Sequence, residues 1–178
     1  MTSAVNYLSN LRGVDNTQVE NIVIYALSRD NYLKRPAAVT RRVVDEVVGA
    51  CEEVEGVNIF YNGDCEGLIN RDAAGGTGAK GDVNIHVLLN YSGRESIERR
   101  FAADNDRTQS RLSETLPFPI DLVVRSGGEM RLSDFCPWET AYAELISVEE
   151  MWPEVDRGVL ERCLEVWAGR RRLVGREG

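Results

Sequence analysis

At 178 residues, 43% of them hydrophobic, the chain has the length of one domain and enough apolar side chains for a core without metal or disulfide support. Its net charge of -8 argues against nucleic acid as a general partner, because phosphate backbones are held by basic faces. No run approaches the ~20 apolar residues of a membrane span, and the opening MTSAVNYLSNLRG has neither the basic nor the apolar segment of a leader, which predicts a cytoplasmic protein.

Apolar, β-branched runs then alternate with helical patterns. NIVIYAL (21–27) reads as a buried strand, AVTRRVVDEVVGACEEV (38–54) as a helix from its three- and four-residue apolar spacing, and VNIFYNGD (57–64) as a strand ending in a turn. DVNIHVLLNY (82–91) is the third strand, SIERRFAADNDRTQSRLSETL (96–116) a long polar helical region stopped by Pro-Phe-Pro, and IDLVV (120–124) the fourth strand. WETAYAELISVEEMW and RGVLERCLEVWAGRRRL close the chain as helical segments, followed by a frayed GREG tail. This order predicts a single α/β domain over 1–178, with a mostly parallel central sheet and helices on both faces. In such sheets ligands sit at the carboxyl ends of the strands.

Three of those ends carry chemistry: SRDNYLKRP, SGRES and RSGGEMRLS. Each sets hydroxyl or amide groups beside an arginine, which suits an oxyanion with several acceptor oxygens, and glycine lets backbone N–H groups approach as well. The predicted ligand is a phosphate or diphosphate. Lys34 and Lys80 are the only lysines, so the positive charge is nearly all guanidinium, the group suited to planar two-point contact. Other motifs are bland. Cys51, Cys65, Cys136 and Cys163 lack C-x-x-C spacing and His86 is the only histidine, so the cysteines read as buried or idle thiols. GGTGAKGD (75–82) has no Ser or Thr after Lys80 and reads as a flexible turn. Trp138, Tyr142, Leu145 and Trp152 read as helix core or as a subunit contact.

DLVVRSGGEMRLSDFCPWETAYAEL is similar to the D-L-x-I-R-T-G-G-E-x-R-L-S-N-F-x-x-W-x-x-A-Y-A-E-L stretch of the cis-prenyltransferases, the undecaprenyl and dehydrodolichyl diphosphate synthases. YALSRDNYLKRP resembles that family's Y-A-F-S-x-E-N-W-x-R-P with one residue inserted before Arg35, and LNYSGRESI resembles x-N-Y-G-G-R-x-E-I. The resemblance implies an enzyme that condenses isopentenyl diphosphate with an allylic diphosphate, with Mg2+ as cofactor. It assigns Arg125, Arg131 and Ser133 to the diphosphate of isopentenyl diphosphate, Arg35 to diphosphate binding and Glu144 to the metal. Asn31, with Ser28 before it, matches the amide near the proton lost in condensation, and Tyr32 stands where the family usually has Trp.

Within 1–178 nothing matches the strand and D-G-N-G-R-W-A loop with which the family opens, whose Asp carries the magnesium and whose backbone cradles the allylic diphosphate. The expectation is therefore a homologous cis-prenyltransferase subunit that supplies this loop in a hetero- or homodimer, with membrane-surface contact through the lipid product. Two alternatives stay open at this point: a non-catalytic scaffold that binds prenyl diphosphate or stabilises a partner, and a full enzyme whose start lies further upstream.

Overall fold

The computed structural model describes residues 7, 19–69, 81–104 and 116–170. Strand β1 (Asn21–Ser28) leads without a loop into the short helix α1 (Arg29–Lys34) and then α2 (Ala37–Glu52), and strands β2 (Val57–Asn62) and β3 (Val83–Tyr91) follow. After β3 come α3 (Gly93–Asp104), β4 (Leu122–Ser126), β5 (Glu144–Val148), a 3-10 turn over Trp152–Glu154 and α4 (Arg157–Gly169). Every ladder is parallel. The strands form a three-stranded sheet ordered β1-β3-β2 and a two-stranded sheet β4-β5. The expected parallel α/β architecture is therefore present, with its strands assigned to two ladders groups and not one.

Side chains of β1 alternate between two apolar clusters. Ile22 and Ile24 join Val44, Val47 and Cys51 of α2 on one face, while Val23 and Tyr25 pack on the other with Leu88, Val123, Phe135 and Leu145. The second cluster thus spans both sheets. A third cluster holds α4 to β5 through Val159, Leu160 and Cys163 against Ile146 and Val148. Three cysteines, Cys51, Cys136 and Cys163, are buried free thiols, and burial pushes Cys51 to about 11 and Cys136 to about 12, so both stay protonated.

Two irregularities sit at the carboxyl end of the larger sheet. Tyr25 pairs with Leu88 but Leu27 with Leu89, so Ala26 is an extra residue in β1; Ser28 then pairs with Tyr91, so Asn90 is an extra residue in β3. Asn90 adopts a left-handed φ of 48°. Bulges of this kind re-aim the side chains that follow them, here Ser28 and Tyr91. At the other end of the sheet, Asn21, Asn84 and Asn58 lie in register and join side chain to side chain at 3.1 and 3.0 Å.

Two expectations change. WETAYAELISVEEMW is not helical: its ELISV core is β5, paired residue for residue with β4, and Trp152 with Pro153 begins the 3-10 turn. A short apolar run fits either periodicity, and the parallel ladder decides it here. Leu145 and Trp152 consequently pack into two different clusters, whereas Trp138 and Tyr142 are 60% and 83% exposed. Helix α3 starts at Gly93, three residues earlier than the apolar pattern indicated, because Ser92 caps it. The remainder of the 96–116 region, most of GGTGAKGD, the GREG tail and nearly all of the first 18 residues lie outside the described residues. Among the described residues, no helix is long and apolar enough to cross a membrane.

Candidate functional site

The stretch from Arg125 to Phe135 turns back from the end of β4 and rests on the end of β5. Gly127 and Gly128 take φ of 86° and 73°, a conformation glycine adopts without steric cost. Their N–H groups are spent on this turn: Gly127 donates to Glu150 O at 2.9 Å and Gly128 to Val148 O at 2.8 Å. The glycines therefore shape the loop, and the sequence-based idea that their amides would meet an anion does not hold in this geometry. What the turn accomplishes is to bring Ser133 back to Arg125, whose Nη1 donates to Ser133 Oγ at 3.3 Å. Arg131 stands exposed on the same loop and pairs with Glu129.

Tyr25 of β1 fastens the loop from the other sheet. Its hydroxyl donates to Ser133 O at 3.2 Å, and its ring lies 5.4 Å from that of Phe135. Burial raises the Tyr25 phenol to about 12, which keeps it a neutral donor. Arg125, Ser133 and the loop that carries Arg131 are thus held by β1, β4 and β5 together.

The second predicted group lies where β1 becomes α1. Ser28 Oγ accepts the Asn31 N–H at 3.1 Å as the helix N-cap, which places the Asn31 side chain in the first turn. Tyr32 is partly buried against the first apolar cluster, and Arg35 ends α1 exposed, its N–H donating to Asn31 O at 2.9 Å.

Glu144 is placed apart from Arg125 and Ser133. In the parallel β4-β5 ladder it lies beside Leu122, while Arg125 lies beside Ser147. Glu144 therefore marks the amino end of the ladder and the clamp its carboxyl end, a separation of about 10 Å along the strand at ~3.3 Å per residue. Its carboxylate is taken by Arg170 Nη1 at 2.6 Å. Among the described residues, no group of three His, Cys, Asp or Glu side chains could hold a metal. Glu144 thus offers a single carboxylate, paired with Arg170, where a magnesium ion held by one carboxylate would take its remaining oxygens from a diphosphate and water.

A third cluster joins two of the predicted strand ends, SRDNYLKRP and SGRES, to a turn that was not among them. Arg29 bridges Asp64 at 3.3 Å and Glu95 at 2.7 Å, tying the starts of α1 and α3 to the turn after β2. These side chains stand by a small cleft lined by Gly63, Asp64, Asn90, Ser92, Glu95, Ser96 and Arg99. The turn after VNIFYN was the one strand end passed over, although N-G-D carries the same turn signal as the others.

Comparison with known proteins bears on the same stretches. Residues 3–175 match the family model for undecaprenyl diphosphate synthase. Isoprenyl transferase 1 of Bradyrhizobium diazoefficiens is 31% identical over 178 aligned residues, covering 88% of this chain and 72% of the relative. The undecaprenyl-diphosphate synthase of Escherichia coli K12 specific for (2E,6E)-farnesyl diphosphate is 26% identical, covering 90% and 74%. Among solved structures, lavandulyl diphosphate synthase from Lavandula x intermedia, in complex with dimethylallyl diphosphate, superposes with a TM-score of 0.70 at 21% identity over 96% of this chain and 85% of that one.

Proposed function

Since the chain belongs to the undecaprenyl diphosphate synthase family, and with it to the prenyl transferases, we propose that it acts in the condensation of isopentenyl diphosphate with an allylic diphosphate, as one subunit of a heteromeric polyprenyl diphosphate synthase. The observation that carries this reading is the meeting of Arg125 with Ser133 on a glycine-turned loop that also carries Arg131. Two guanidinium groups and a hydroxyl at a strand's carboxyl end suit a diphosphate, since each guanidinium can grip two oxygens at once. Arg131 exchanges its Glu129 partner for the ligand, a favourable trade because the diphosphate carries the greater charge and the ion pair is exposed.

Asn31 works as an orienting group. An amide is too weak a base to remove a proton unaided, but held in the first turn of α1 by the Ser28 cap it can fix the direction from which the homoallylic carbon approaches. Glu144 pairs with Arg170, an ion pair that ties the start of β5 to the end of α4.

The heteromeric part of the reading draws on the sheets. Among the described residues, β1 is paired on one edge only and so is β4, while Trp138 and Tyr142 stand exposed. Purification of the chain alone and together with a full-length homologue, followed by incorporation of labelled isopentenyl diphosphate, tests it. Turnover is expected only from the pair, and turnover by the single chain overturns the subunit role. A second reading, a partner-stabilising scaffold, is favoured by the internal ion pairs of Arg131 and Glu144. Arg131→Ala within the active pair separates the two, because loss of turnover places this chain in the site and unchanged turnover makes it a scaffold.

A further inference from the structure

Backbone strain is concentrated around the predicted clamp. Ser133, Asp134 and Cys136 have φ of 51°, 66° and 40°, three side-chain-bearing residues in the left-handed region within four positions. Such conformations persist only where the surroundings impose them. Here the surroundings are the amino end of α3. Asp134 Oδ2 accepts the Ser92 hydroxyl at 2.7 Å, Asp134 Oδ1 accepts the Arg94 N–H at 3.1 Å, and Asp134 O accepts the Gly93 N–H at 3.1 Å. Ser92 Oγ in turn accepts the Glu95 N–H at 3.3 Å, so one hydroxyl caps the helix and grips the loop. The fit is close enough that a Cβ on Gly93 would stand 2.6 Å from Asp134 O and 2.2 Å from Pro137 Cδ.

We propose that Asp134 is a positioning residue: by fastening the strained loop to the start of α3 through Ser92 and Arg94, it fixes the neighbouring Ser133 hydroxyl against Arg125 and so sets the geometry in which a diphosphate is gripped. The carboxylate suits this task because both of its oxygens accept, one from a side chain and one from the backbone. An amide in its place keeps one acceptor oxygen for Arg94 and can donate to Ser92 Oγ, so the fastening survives. An alanine there loses both side-chain contacts and leaves the left-handed backbone held to α3 only by the Gly93 N–H on its carbonyl.

The inference rests on the diphosphate reading of Arg125 and Ser133, and calorimetric titration of the full chain with inorganic pyrophosphate tests both. Wild type is expected to bind, Arg125→Ala to lose binding, Asp134→Ala to bind at least tenfold more weakly and Asp134→Asn to stay within about twofold of wild type. In a Ser133→Ala background, Asp134→Ala should add almost nothing further, since its effect passes through that hydroxyl; a contribution to stability alone would lower the melting temperature equally in both backgrounds and leave affinity unchanged. Circular dichroism checks folding, and if Asp134→Ala does not fold, Ser92→Ala decides by the same cycle, since it removes the tie at Oδ2 and the α3 cap but keeps the tie at Oδ1, and the loss of the cap acts equally in both backgrounds. Absence of pyrophosphate binding by wild type, or full binding by Arg125→Ala, overturns the diphosphate reading. Wild-type binding that is lost in Arg125→Ala but kept in Asp134→Ala, or in Ser92→Ala where that variant decides, overturns the positioning role and leaves the clamp standing.

Discussion

Arg125 and Arg131 share a charge but not a setting. Arg125 is half-buried on β4 and already aimed at Ser133, whereas Arg131 is exposed beside Glu129. Arg131→Lys is expected to weaken pyrophosphate binding about tenfold in titration calorimetry although the charge is kept, because an ammonium cannot make two parallel hydrogen bonds. His86 gives a second expectation at this scale. It is 8% exposed, stacked on Phe60 with ring centroids 4.9 Å apart, and burial lowers its pKa from 6.5 to about 4. The folded protein thus keeps His86 neutral where the unfolded chain takes up a proton, so stability is full above about 6.5 and falls as the pH drops toward 4. Melting temperatures measured across that window should decline in the wild type and decline less in His86→Phe. Arg125, Arg131 and Ser133 could be named as candidates from the sequence because they sit in one run after a strand, the run that also carries the family resemblance. Asp134 was quoted with them but had no role, since its partners Ser92 and Arg94 lie some forty residues earlier and only the fold brings them near.

Elements were legible where their pattern was long. The α2 apolar spacing and the β-branched runs of β1, β2 and β3 each pointed to one structure, and each formed it. ELISV did not, because five residues hold too little periodicity to separate a strand from a helix end, and its ladder with β4 supplied the missing information. The bulges at Ala26 and Asn90 left no signal either, since neither residue is a glycine. The asparagine row across the sheet was equally silent, as each Asn alone looks like an ordinary strand start. Asn84 is the middle member, donating to Asn21 and accepting from Asn58. Asn84→Ala breaks both bonds, although Asn58 keeps Gly81 O at 2.9 Å, and is expected to cost about 1 to 3 kcal/mol in chemical denaturation, against a smaller loss for Asn21→Ala, which breaks one.

At the scale of the whole molecule, assembly is the question the surface poses. Trp138 at 60% and Tyr142 at 83% exposure, with Met130 and Met151 also exposed, leave more large apolar area in water than a small monomer ordinarily tolerates. Light scattering should report an oligomer, with itself or with a homologue, that Tyr142→Asp or Trp138→Asp reduces to monomers. Leu145→Asp does not test this, because that side chain is partly buried against the second cluster and a charge there is expected to destabilise the fold itself. The four residues do not share one helical run, because ELISV is a strand; Trp138 and Tyr142 are the two of them that stay exposed.

The central place of β3 has a kinetic consequence. It is the only described strand with a neighbour on both edges, β2 on one side and β1 on the other. Pairing with β2 closes the shorter loop, since Val57 meets Val83, whereas pairing with β1 must bring Asn21 to Asn84. Loop-closure entropy favours the nearer partner first, although only slowly with length. In pulse-labelled hydrogen exchange the amides shared by β2 and β3 should gain protection before those shared by β1 and β3. The clamp, which depends on Tyr25 of β1, would then be among the last parts of the molecule to take shape.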